Sequence, residues 1–138
     1  MKKILGKIAD RIYHKPRLKI SSAVSPLLIP RMVNILKKRS AALADLDSVL
    51  DFALKFKIYG TPIKPLQIRG EFKRLMEIVQ AARPKAIVEL GTAMGGTLFC
   101  FARVADPSAT LISLDLPSGQ GGYLEWKKPL LEAFALPE

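Results

Sequence analysis

The chain has 138 residues, 49% hydrophobic and 25% charged, a balance that suits one domain with a modest core and excludes wholesale disorder. Its net charge is +10, yet residues 1–40 carry eleven Lys or Arg against one acid, Asp10, while residues 41–138 carry eleven of each sign. The basicity therefore belongs to an N-terminal segment and not to the chain as a whole.

In chain order, the first predicted helix covers Lys2 to Tyr13, with Ile4, Leu5, Ile8 and Ile12 on one face and Lys2, Lys3, Lys7 and Arg11 elsewhere, and Pro16 ends it. The opening Met1 to Leu5 imitates a secretory leader, but Lys7 and Asp10 interrupt it. Pro26, Pro30 and Arg31 break the apolar stretch Ile20 to Leu36 well short of the ~18 residues a membrane span needs. A cytoplasmic protein is expected, and the lone Cys100, in an apolar run, reads as a small buried thiol. A second helix is predicted from about Leu27 to Arg39, closing on Lys37, Lys38 and Arg39, and a third from Ser40 to about Phe56. Tyr59 to Pro65 reads as a loop, and a fourth helix runs from about Gln67 to Ala82.

The period then changes. Ala86 to Leu90 is a short β-branched run, Gly91 to Gly96 a Gly-rich turn, Thr97 to Ala105 a helix, and Thr110 to Asp115 a second strand. This is a βαβ unit whose strands read as apolar on both faces, as in a parallel sheet covered by helices on each side. A Gly-rich loop from Leu116 to Gly122 and a last helix from about Tyr123 to Ala135 follow.

A strand that ends in a Gly turn opening a helix makes a shallow ligand site at the carboxyl edge of a parallel sheet. A pyrophosphate would need the close-approach glycine of G-x-G-x-x-G, but Ala93 stands there. The variant G-x-x-x-G-x-G fails too, because its last glycine falls on Thr97. A NAD(P)-dependent reductase is thereby disfavoured. S-adenosylmethionine carries no phosphate, and its ammonium and ribose diol suit one acid at each strand end, here Glu89 and Asp115. Glu89 should be satisfied by a ligand or a backbone donor, and Asp115 alternatively caps a turn before Pro117. Thr92 and Thr97 are candidates either for the cofactor's carboxylate or for capping the helix. Tyr123 and Trp126 face either the ligands or the core.

The string Glu89-Leu90-Gly91-Thr92-Ala93-Met94-Gly95-Gly96-Thr97-Leu98-Phe99 resembles motif I of class I S-adenosylmethionine-dependent methyltransferases, and more narrowly the cephalosporin-hydroxylase-like, small-molecule O-methyltransferase subgroup. Upstream, Asp51-Phe52-Ala53 and Ile63 to Ile68 resemble that subgroup's lead-in; downstream, Ile112 to Pro117 and Gly121 to Trp126 resemble its second strand and loop. Leu124 departs from an expected proline, and the Gly-rich loop is short for the subgroup. The resemblance spans about residues 45–138 and implies an α/β fold: N-terminal helices, then the first βαβ unit of a Rossmann-like sheet, truncated. With the charge distribution, the chain is expected to divide into three segments: basic helical 1–40, helical lead-in 41–83, and an incomplete cofactor-binding domain 84–138.

The implied cofactor contacts are Glu89, Gly91, Thr92, Gly95, Gly96, Thr97 and Asp115, and the implied activity is methyl transfer to a small-molecule hydroxyl. The subgroup's later acidic, histidine-bearing strand-end motif, expected to serve a divalent metal or catalysis, has no counterpart here; the one histidine, His14, lies in the basic segment. No catalytic or metal-binding residue is assigned, and the chain is expected to be inactive alone unless a second polypeptide completes the sheet. The alternative is a non-enzymatic protein that binds a membrane surface or a partner through residues 1–40. Nucleic acid is disfavoured, because Tyr13 is that segment's only aromatic.

Overall fold

The computed structural model describes residues 15–116 and 127–135, with side chains from residue 27 onward. The predicted helix over Lys2–Tyr13, His14, most of the loop Leu116–Gly122, and Tyr123 and Trp126 lie outside the described residues.

The first described element, α1 (Lys15–Ser40), starts twelve residues before the predicted second helix, Leu27 to Arg39, and runs through both Pro26 and Pro30. Pro16 sits in its first turn, where the missing N–H costs nothing. Each internal proline removes one backbone bond, and the buried stripe Ile29, Met32 and Leu36 anchors the C-terminal half to the core.

Five residues separate α1 from α2 (Leu46–Lys55), which is shorter than predicted because Asp45 starts it. The Asp45 carboxylate accepts from the Ser48 amide at 2.7 Å, and the Ser48 hydroxyl meets the Asp45 amide at 3.2 Å, closing a capping box.

A hairpin of two-residue strands, β1 (Lys57–Ile58) against β2 (Thr61–Pro62), starts just before the predicted loop and takes up its first half. Its turn puts Tyr59 at φ 46° and Gly60 at φ 82°, the pair of positive values that a tight hairpin requires. Then comes α3 (Arg69–Ala82), clasped to α2 by exposed ion pairs: Arg69 reaches Asp51 at 2.8 Å and Asp47 at 2.9 Å, and Lys73 reaches Asp47 at 2.6 Å. Arg83, left-handed at φ 45°, and Pro84 stop it.

The βαβ unit follows as β3 (Ala86–Leu90), α4 (Gly96–Val104) and β4 (Thr110–Leu114), close to the predicted bounds, with the strands parallel and Glu89 level with Ser113. The last described element is α5 (Lys128–Glu132). The fold is mixed α/β, with two small two-stranded sheets among the described residues.

The core is built by helices. Phe99 of α4 is fully buried at its centre, stacked on Phe52 (centroids 5.3 Å) and edge-on to Phe134 (5.4 Å). Met32 and Leu36 from α1, Leu50 from α2, Phe72 and Met76 from α3, and Leu130 after β4 complete it. Arg103 ties α4 to the end of α1, donating to the Ser40 hydroxyl at 2.9 Å with its guanidinium 5.1 Å over the Phe99 ring.

The sheet lies at the margin of this core, contrary to the expectation of strands buried on both faces. Ile87, Glu89, Leu111 and Ser113 face inward, while Val88, Leu90, Ile112 and Leu114 point outward, with Leu90 79% exposed. One face of a parallel pair is therefore bare, and the side of β3 away from β4 pairs with no strand among the described residues.

Candidate strand-end site

The carboxyl ends of β3 and β4 bring together Glu89, the turn Gly91–Gly95 and Asp115. Gly91 leaves β3 at φ 91° and donates to the Leu114 carbonyl at 2.7 Å, locking the turn onto the end of β4. The Gly95 amide closes the turn on the Thr92 carbonyl at 2.7 Å.

The three sequence-predicted glycines have different reasons to be glycine. A Cβ on Gly91 would meet open space, so that position is bare toward solvent and its positive φ is the local constraint. A Cβ on Gly95 would stand 2.6 Å from Leu131 Cδ2, and one on Gly96 would stand 2.1 Å from the Ile63 carbonyl oxygen. Gly95 and Gly96 therefore make room for α5 and for the 63–65 segment.

Glu89 is only 8% exposed. Its carboxylate accepts from the Ser113 hydroxyl at 2.5 Å, a side-chain donor across the strand pair. Ser113 has one proton to give, so the 2.6 Å contact with Thr92 is a bond that Thr92 donates to Ser113. The relay Thr92–Ser113–Glu89 is thus oriented. Burial pushes the Glu89 carboxyl up, the Ser113 hydrogen bond pulls it partly back, and the charge of Asp115 adds to the rise. Ser113 was missed in the sequence; its level with Glu89 in the strand pair is the signal that finds it.

Asp115 lies just past β4. One oxygen accepts from the Ala93 amide at 3.0 Å and the other from the Leu116 amide at 2.8 Å. Among the described residues each oxygen accepts one bond and keeps a second lone-pair direction, so the carboxylate braces the turn and can still take further donors. The nearby Lys127 ammonium is pushed down by burial and held up by Asp115's charge. Neither threonine caps α4: Thr92 points into the relay, and Thr97 donates to the Gln67 side-chain carbonyl at 3.3 Å.

A hollow of about 540 Å3 opens beside these groups, with Thr92, Ser113 and Asp115 on its polar side and Leu98, Leu131 and Phe134 on its apolar side. A narrow cleft of about 50 Å3 separates the turn from the 64–67 segment. Cys100 is fully buried as expected, its thiol pushed up to about 12 by burial. Among the described residues, no three His, Cys, Asp or Glu side chains converge as metal ligands, and no helix is long and apolar enough to cross a membrane.

Compared with known proteins, the chain matches no family model, no curated protein and no solved structure.

Proposed function

We propose that this chain is the donor-binding part of a class I S-adenosylmethionine-dependent methyltransferase, acting on a hydroxyl of a small molecule and built on the first βαβ unit of a Rossmann-like sheet. The observation that carries the reading is Asp115: one residue past β4, with both oxygens braced by backbone amides beside the bare Gly91 turn. A carboxylate held at that place, with acceptor capacity to spare, suits a ribose diol. The adjoining 540 Å3 hollow has the size and mixed polarity of a small-ligand site.

The donor set fits this cofactor better than a dinucleotide. The middle position of the turn carries the Ala93 methyl at φ 46°, and its amide already serves Asp115. A pyrophosphate would meet a methyl group where it needs a bare amide. Glu89, tied to Ser113, would act on the cofactor's ammonium through its field and through the Thr92–Ser113 relay rather than by direct contact. S-adenosylmethionine, once bound, supplies an electrophilic methyl on sulfur; these residues hold, orient and exclude water.

The bare face of β3–β4 and the side of β3 that pairs with no strand among the described residues support a second polypeptide as the partner that completes the sheet. The same face favours the second reading, a non-enzymatic partner-binding protein.

Calorimetric titration of S-adenosylhomocysteine, with NADH as control, tests the proposal. Saturable binding that Asp115→Ala weakens at least tenfold, with no NADH response, is the expected result. A folded chain that binds neither ligand leaves only the partner-binding reading.

A further inference from the structure

A second hollow, of about 440 Å3, lies beyond the strand-end site, walled by Leu54 of α2, Pro62 of β2 and the segment 64–67. It is not remote from the Gly turn. Lys64, Pro65, Leu66, Gln67 and Met94 line both this hollow and the narrow cleft over Gly91 and Thr92, so one layer of chain separates the two spaces.

Its lining is chemically mixed. Leu66 is 79% exposed and Met94 40% exposed, apolar side chains held at the rim with no core contact to account for them. Two cations border the space, and they differ. Arg69 is already committed to Asp47 and Asp51 at 2.9 and 2.8 Å. Lys64 makes no ion pair among the described residues, and its backbone is fixed between Ile63, fully buried, and Pro65, also buried. The closeness of the Ile63 carbonyl to Gly96 pins this segment to the start of α4. Lys64 is thus an uncommitted positive charge on a rigid base, at the edge of a hollow with apolar walls in Leu54, Pro62, Leu66 and Met94 that borders the donor site.

We infer that this hollow is the acceptor pocket, and that it takes a small molecule with an apolar body and a carboxylate that pairs with Lys64. The inference rests on the methyl-donor reading for its role. Volume and lining argue for the apolar body, and the single uncompensated cation argues for one negative charge.

The test uses the full chain labelled with 13C at its methionine methyls. Met94 lines the hollow, and the buried Met32 and Met76 serve as internal controls. 3-Phenylpropionate and its neutral amide are titrated in turn. The expected result is a saturable shift at Met94, absent at Met32 and Met76, with the carboxylate binding about three- to fivefold more tightly than the amide, the size of an exposed ion pair. Lys64→Gln brings the carboxylate down to the amide's affinity and leaves the amide unchanged. A silent Met94 with both probes, or a carboxylate preference that survives Lys64→Gln, overturns the pocket. S-adenosylhomocysteine is titrated into the same samples. Its binding without a Met94 response to the carboxylate removes the acceptor pocket alone. A selective carboxylate response in a chain that does not bind it removes the donor reading and the acceptor role with it.

Discussion

Ser113 stands directly across the strand pair from Glu89 and gives its only proton to that carboxylate, at 2.5 Å. Burial would otherwise leave Glu89 charged without compensation. The pair is therefore a point where stability and the strand-end site depend on the same hydrogen bond.

The first prediction concerns pH. Because the folded state raises the Glu89 carboxyl above its ordinary 4.5, the folded chain binds a proton that the unfolded chain releases. Its contribution is fully present below that value and is lost as pH rises through the raised one. Glu89→Gln removes this slope, so the stability difference between wild type and variant should change over that interval and be flat below it. Urea unfolding of both proteins from pH 4 to 8 measures it. Ser113→Ala should cost about 1–3 kcal/mol at neutral pH by leaving the carboxylate without its donor.

Gly91 and Gly96 should separate cleanly. Gly96→Ala drives a Cβ into the Ile63 backbone, where no side chain can swing away, and should cost about 3 kcal/mol or more or prevent folding. Gly91→Ala meets open space and pays only for its positive φ, about 1–2 kcal/mol. If the turn binds a ligand, the Gly91 variant folds and loses S-adenosylhomocysteine affinity. Thermal melts and calorimetry on the two variants read both effects.

The bare sheet face predicts an asymmetry between folding and association. Leu90→Glu combined with Leu114→Glu alters two side chains that are 79% and 53% exposed, so unfolding free energy should move by only about 0.5 kcal/mol. Binding of an apolar dye and self-association in sedimentation should both fall. A loss of several kcal/mol instead would mean that this face is covered in the folded chain.

Leu36 is fully buried, so the end of the basic segment is part of the core and not a detachable tail. Leu36→Ala should cost about 2–5 kcal/mol in chemical denaturation, as an internal cavity does. A membrane-binding test that deletes residues 1–40 would therefore unfold the protein; truncation before Lys15 is the cleaner variant.

The βαβ unit was legible to within a residue or so, because a β-branched run, a Gly turn and an apolar helix punctuate themselves. The hairpin at Tyr59–Gly60 was not, since its strands are two residues long and a tyrosine at positive φ has no sequence signature. Burial of the strands was misread: Val88, Leu90, Ile112 and Leu114 are apolar, but sequence reports only that a residue suits a covered face, and no described element supplies the cover. At the candidate site, the placing of Glu89, Gly91 and Asp115 at the strand ends was legible because they punctuate the two apolar runs. Ser113 was missed because a serine within a strand acquires its meaning only from the residue across the ladder, and the protein-packing duties of Gly95 and Gly96 depend on segments some thirty residues away on either side.

The packing of α1 against α5 has a consequence for synthesis. Met32 and Leu36 leave the ribosome about a hundred residues ahead of the segment they pack beside, around Leu130 and Phe134. All of the intervening stretch must emerge before that apolar stripe finds this cover. Translation therefore presents a basic, greasy helix to the cellular milieu for several seconds, at ~5–20 residues per second. Nascent-chain chaperones have that interval in which to bind it, and a ribosome stalled near codon 120 would hold a polypeptide whose first helix is finished and whose core cannot close.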